Sequence, residues 1–221
     1  MGKATVLSVL NVAALRIRNN VMMMFDRTQR KILLQRKTLK LFNRNMVDSR
    51  IPKLRDLICD GDSILDVGCG GMKQSTFDEV VLKGSYKDIV GVDAHEQSIL
   101  DRQTDRQTDR RTSFICGEIQ NLIFDRRFDV VLLSHVIEHL TFKDADRVID
   151  YLWSICDKQM IVDTPNEFED GTPYVKESGN TYQHHHCLID AAFMKRKGFK
   201  RVFKYFQPSG YSCSIYTKEK Q

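Results

Sequence analysis

No stretch of these 221 residues approaches the roughly 20 consecutive apolar residues that a membrane-crossing helix needs, so no transmembrane segment is expected. The six cysteines, Cys59, Cys69, Cys116, Cys156, Cys187 and Cys213, include no Cys-x-x-Cys pair and no close spacing. A chain this long does not need disulfide staples, and the thiols are expected to be reduced in a cytoplasmic protein. Acids are scarce at the start, with only Asp26 and Asp48 between Lys3 and Arg55. The first twenty residues combine Lys3, an apolar stretch from Ala4 to Leu15, Arg16 and Arg18, but Ser8 and Asn11 interrupt the stretch and no clear cleavage site follows. Val6 breaks the myristoylation pattern that Gly2 would begin.

What is present suits one sizeable core, since folding at this length removes roughly 70% of the unfolded chain's surface from water. The net charge of +5 is concentrated in the basic N-terminal stretch, a candidate contact for RNA, a membrane surface or an acidic partner, although a solvated helical face is the commoner use. Residues 1–58 read as a helical extension: Ile32, Leu33, Leu34, Leu39, Leu41 and Phe42 recur at mixed three- and four-residue spacing among basic residues. From Ser63 the texture changes. Short apolar runs (Ile64 to Val67, Ile89 to Val92, Phe114 to Cys116, Val130 to Leu133, Met160 to Val162) alternate with amphipathic stretches. Runs of that kind predict strands buried on both faces of a parallel sheet with helices on each side, placing an α/β domain over 59–221. Between Asp101 and Arg111 a repeated Asp-Arg-Gln-Thr sets Asp101, Asp105 and Asp109 beside Arg102, Arg106 and Arg110, which predicts an exposed, salt-bridged helix.

The segment Ile64-Leu65-Asp66-Val67-Gly68-Cys69-Gly70-Gly71 places Gly-x-Gly after the first strand, where backbone N–H groups lie open to a ligand. The next strand ends Val90-Gly91-Val92-Asp93, a carboxylate 25 residues after Gly68 that is placed to accept ribose hydroxyls. A dinucleotide-binding protein would show the same pair of features.

From about Ile64 to Phe206 the chain resembles the class I S-adenosylmethionine-dependent methyltransferases, particularly the group that includes ubiquinone-pathway and glycan O-methyltransferases. Leu65 to Gly70 resembles the family's glycine-rich motif, and Asp93, followed by Ala94, matches its ribose-binding acid. Cys116-Gly117-Glu118-Ile119 is similar to the adenine-binding motif, and Phe128 to Leu140 is similar to the fourth strand and the turn beneath the methyl donor. The resemblance implies a Rossmann-like, doubly wound, mostly parallel seven-stranded sheet whose last strand, around Ser212 to Thr217, is antiparallel. It also implies S-adenosyl-L-methionine as cofactor and S-adenosyl-L-homocysteine as product, bound by Asp66, Gly68, Cys69, Gly70, Asp93, Ala94, Glu118, Ile119 and Ser134. The chain departs from the family at Met72, where a third glycine is usual, with Gly71 one place earlier.

On the acceptor side, His135-x-x-Glu138-His139 supplies the candidate catalytic group. On a helix His135 and His139 would share a face, with Glu138 one turn from His135, an arrangement that suits packing, proton transfer or metal ligation. The segment Thr164 to Gln183 is irregular and reads as a lid, followed by His184-His185-His186. Asn166, in a Thr-Pro-Asn turn, and His185 are the expected substrate contacts. The leading expectation is methyl transfer to an oxygen, or to a nitrogen, of a small molecule or glycan, with no metal. A metal-dependent RNA 2′-O-methyltransferase is the alternative, because that group holds a metal with Glu-x-x-Glu-His and a distant His; here His135 stands in place of the first Glu. A non-catalytic cofactor-fold binding protein is the third reading, suggested by Met72 alone.

Overall fold

The structure is a computed structural model that describes residues 49–71, 76–104, 111–168, 175–176, 179–207 and 210–220. The expected extension up to residue 48, Met72, the second half of the Asp-Arg-Gln-Thr repeat and residues 169–174 and 177–178 of the expected lid lie outside the described residues.

The described elements belong to a compact unit running from Asp48 to Gln221. Helix α1 (Arg50–Asp56) precedes β1 (Ser63–Val67), and a π-helical turn (Phe77–Val81) leads to β2 (Asp88–Asp93). Helix α2 (Glu96–Thr104), β3 (Thr112–Cys116), β4 (Phe128–Ser134), α3 (Phe142–Ser154) and β5 (Cys156–Pro165) follow. Helix α4 (Ala191–Arg196), β6 (Lys200–Phe206) and β7 (Ser212–Glu219) complete the domain.

The seven strands lie in the order β3-β2-β1-β4-β5-β7-β6. The first five pair in parallel, and β7 runs antiparallel between β5 and β6, as the resemblance implied. Alternation along the strands sends side chains to two cores. Leu65, Val67, Val131 and Leu133 join one, where α3 adds Ala145, Val148, Ile149 and Leu152. Ile64, Val130, Leu132 and Ile161 join the other, with Leu54 of α1 and Phe77. Strand β1 is buried at all five positions, Ser63 and Asp66 included. Strand β3 departs from the expectation of two covered faces: it is an edge strand, and none of its residues is fully buried.

Because β1 pairs with β2 on one side and β4 on the other, the chain leaves β1 and β4 in opposite directions, and a crevice opens at their carboxyl ends. Among the described residues no helix is long and apolar enough to cross a membrane.

Candidate active site

The turn after β1 is left-handed at Gly68 (φ 76°) and Gly70 (φ 65°). Gly68 and Cys69 both donate to the carbonyl of Val92, at 2.7 and 3.0 Å, which fastens the turn to the end of β2. A Cβ at Gly68 would lie 2.2 Å from Val136 Cγ2, so only glycine lets the turn pass under the segment after β4. Gly70 N–H donates to Asp93 Oδ2 at 2.9 Å and His95 N–H to Oδ1 at 2.8 Å, leaving each oxygen further lone pairs for a ligand.

These groups border a cavity of about 320 Å³ that Gly68, Gly70, Asp93, Ala94, Glu118 and Ile119 line at one end. His135, His139, Thr141 and His186 also line it. Glu118 is held by its neighbours: Oε2 accepts from Gln120 and Asn121, and Oε1 accepts from the hydroxyl of Tyr182 at 3.3 Å. Beneath the glycine turn, Asp66 is 1% exposed and its Oδ2 has no hydrogen-bond partner among the described residues. Burial pushes its carboxyl up to about 8; Arg102 opposes that shift and the charges of Asp93 and Asp78 add to it.

At the end of β4 the chain does not enter a helix. His135 adopts φ 55°, rare for a residue with a side chain, and a single 3-10 turn (Ile137–His139) follows. His135 and His139 therefore do not share a helical face, which corrects the reading from spacing. His135 turns inward: Nδ1 meets Glu138 Oε1 at 3.1 Å and Nε2 meets the Tyr205 hydroxyl at 3.0 Å. That hydroxyl donates to Asp163, whose Oδ2 lies 3.6 Å from His135 Nε2 and 3.7 Å from Arg50. Burial opposes charge on the imidazole, but Asp163, Cys213 and Glu138 outweigh it and hold His135 well above its ordinary value. Burial likewise opposes charge on Glu138, yet the His135 contact brings its carboxyl below the usual value.

His139 faces the other way. Its Nδ1–H donates to the carbonyl of His184 at 3.1 Å, so the neutral ring carries its lone pair on Nε2. The rings of His139 and His185 meet edge to face at 4.7 Å. Donor atoms of Glu138, His139 and His185 all lie within 4.8 Å of one another. The backbone locks this grouping, because His186 and Cys187 N–H both donate to the carbonyl of Glu138.

Residues 65–159 match the family model described as a methyltransferase domain. Over those residues the chain carries a methyltransferase domain, and its fold is that of the class I methyltransferases. S-adenosylmethionine is the methyl donor of that class. No curated protein is close enough in sequence to match the chain. Its fold is similar to that of magnesium protoporphyrin IX methyltransferase from Synechocystis PCC 6803, crystallised with bound S-adenosylhomocysteine: 18% identity, TM-score 0.55, covering 85% of this chain and 84% of that one. It is also similar to the N-methyltransferase NodS from Bradyrhizobium japonicum WM9 (14% identity, TM-score 0.56, 77% and 92% covered). A third similar fold is an S-adenosylmethionine-dependent methyltransferase from Mesorhizobium loti (13%, 0.56, 76% and 96%).

Within the methyltransferase domain, Gly68, Gly70, Asp93, Ala94, Glu118, Ile119, His135 and His139 come together around one cavity. Cys69 points into the core at 1% exposure, and Ser134 turns its hydroxyl to Thr76 and Asp163. Glu138 lies behind His135, and His185 packs on His139. Asn166 is drawn to the end of the β5–β7 pairing, where its amide contacts Ser212 and Ser214. His186, of the run His184-His185-His186, lines the cavity, and so do Asp144, Asn180, Tyr182 and Gln183, which the sequence did not mark for that place. Their one local signal is the Asn180 side chain, which accepts from Tyr182 N–H and starts the short turn that carries them.

Proposed function

We propose that the chain transfers the methyl group of S-adenosylmethionine to an oxygen of a small molecule or glycan. One observation carries this reading: the cavity bordered by the glycine turn, Asp93 and Glu118 is also lined by His139, whose Nδ1–H is engaged by the His184 carbonyl so that the lone pair of the neutral ring is on Nε2. A group bound on the turn thus shares its enclosure with a proton acceptor. The cavity fits the cofactor in two respects. Gly68 and Gly70 border it with left-handed backbone that carries no side chain, and Asp66 keeps an unpartnered oxygen beneath the turn.

In this reading Asp93, with Ala94, accepts the ribose hydroxyls, while Glu118 and the backbone of Ile119 meet the adenine. Gly68 and Gly70 form the methionine end, with Asp66, Cys69 and Ser134 packed behind it. His139 takes the acceptor's proton, and Glu138 and His135 fix the turn on which it stands. His185 and Asn166 belong to the acceptor side. A hydroxyl must lose a proton as it attacks, whereas a neutral amine attacks through a lone pair it already has, and the half-buried His139 therefore favours oxygen. We assign the protein to the cytoplasm, in keeping with six free thiols.

The test is methyl-labelled S-adenosylmethionine with panels of hydroxylated and amine acceptors. Label in hydroxylated compounds, lost in His139→Ala with cofactor binding intact, supports the proposal; label in amines alone overturns it.

A second reading, metal-dependent 2′-O-methylation of RNA, draws on the convergence of Glu138, His139 and His185. Two imidazoles and a carboxylate are a donor set suited to zinc or manganese, and the Nδ1–H of His139 already has the outer carbonyl partner common among metal-bound histidines. These three residues would hold the ion, which would make a bound hydroxyl more acidic. RNA methylation abolished by a chelator and restored by manganese or zinc favours this reading; activity indifferent to chelation removes it.

A further inference from the structure

The repeated Asp-Arg-Gln-Thr segment predicts an exposed arginine at each step, yet Arg102 is 1% exposed. Its side chain runs from α2 into the inner side of the glycine turn. Nε donates to the carbonyl of Gly70 at 2.9 Å, and Nη2 to those of Gly71 at 2.8 Å and Cys69 at 3.1 Å. Both terminal nitrogens also reach the carboxylate of Asp78, and the guanidinium lies 4.7 Å from the centre of the Phe77 ring. A planar fork of five donors can serve three successive carbonyls and a carboxylate at once, which the compact ammonium of lysine cannot.

The peptide bond is planar and trans, so each carbonyl and the following N–H point in opposite directions. Drawing the Cys69 carbonyl toward Arg102 therefore turns the Gly70 N–H outward, where it donates to Asp93 Oδ2 at 2.9 Å. The carboxylate that borders the cavity is aimed through a chain of three links: the guanidinium, the Cys69–Gly70 peptide and Asp93.

We propose that Arg102 is a positioning residue for the cofactor: it sets the path of the glycine turn and, through it, the orientation of Asp93, and so governs affinity for the nucleoside end of S-adenosylmethionine. The inference rests on the cofactor site described above. Asp78 acts one step further out, holding the guanidinium in place.

The experiment is calorimetric titration of S-adenosylhomocysteine into wild type, Arg102→Lys, Asp93→Ala and the double variant, each with a thermal melt. Phe193→Leu, a core change in α4, serves as a control for lost stability. Arg102→Lys should melt cooperatively and bind about tenfold more weakly than wild type, beyond any effect of Phe193→Leu at equal loss of Tm. In the Asp93→Ala background the same substitution should cost much less, because two residues acting through one path are not additive. Asp78→Asn, which keeps all three carbonyl contacts, should weaken binding by a smaller factor and carries the test should Arg102→Lys fail to fold. Affinity unchanged in Arg102→Lys or in Asp78→Asn, or full additivity with Asp93→Ala, would overturn the inference while leaving the cofactor site standing. Absence of binding by wild type overturns the site itself, and the inference with it.

Discussion

The N–H of Gly70 donates to Oδ2 of Asp93 across 2.9 Å, so the glycine turn and the acid at the end of the neighbouring strand form one unit. The unit is possible because β1 and β2 pair in parallel and in register, Val67 against Val92, which brings both carboxyl ends to the same rim.

Replacing Asp93 with alanine removes one of the carboxyl groups that line the cavity. If it accepts ribose hydroxyls, binding of S-adenosylhomocysteine should weaken by about 1.5–3 kcal/mol, the usual worth of hydrogen bonds to a charged group. Calorimetry measures the loss, and circular dichroism should show an unchanged fold. Binding equal to wild type would remove Asp93 from the cofactor site.

Gly68→Ala should damage both stability and binding. The left-handed backbone costs a residue with a Cβ about 1–2 kcal/mol. The new methyl also meets Val136 Cγ2 at 2.2 Å. Adding Val136→Ala should relieve the overlap and recover part of the lost Tm, but not the part that comes from the backbone. Full recovery in the double variant would show that the dihedral carries no penalty.

Asp66 makes stability depend on pH in an unusual direction for a carboxylate. Its folded value, about 8, lies above the ordinary 3.8, so across that window the folded chain holds a proton that the unfolded chain has released. The contribution is whole below 3.8 and is lost progressively as pH rises toward about 8. Urea unfolding over this range should show the decline, and Asp66→Asn should flatten it. An identical slope in the variant would show that another group is responsible.

Tyr205→Phe deletes a buried hydroxyl that donates to both oxygens of Asp163 and meets His135 Nε2. The buried partners it leaves behind should cost about 1–3 kcal/mol of unfolding free energy, read from the shift of the urea midpoint. A shift of the midpoint within error would mean that Ser134 and Arg50 suffice for Asp163.

Features that depend on near neighbours were legible in the chain itself. The run Ile64 to Val67 became a fully buried strand because nothing polar enough to face water interrupts it except Asp66, itself buried. Gly68 and Gly70 took the left-handed conformations for which glycine is suited. The acid of Asp93 came to the rim because strand length and parallel pairing place it there.

The spacing of His135, Glu138 and His139 misled where it assumed a helix. A left-handed His135 and a 3-10 turn send the two histidines apart, one toward Asp163 and the other toward His185. The left-handed conformation is held from outside the segment, by Tyr205, which is 70 residues away. The repeat misled for a similar reason: among equivalent arginines, Arg102 falls beside the turn at residues 69–71 and enters it.

The sequence by itself determined the alternation of strands and helices, the glycine turn and the acids at strand ends, since these follow from periodicity, sterics and local backbone freedom. Only the tertiary structure decided which histidines line the cavity, which arginine is buried under the turn and which tyrosine reaches Glu118. Those assignments depend on contacts between residues far apart in the chain. Each polar group takes the partner that burial leaves within reach, and that choice is made only when the sheet closes.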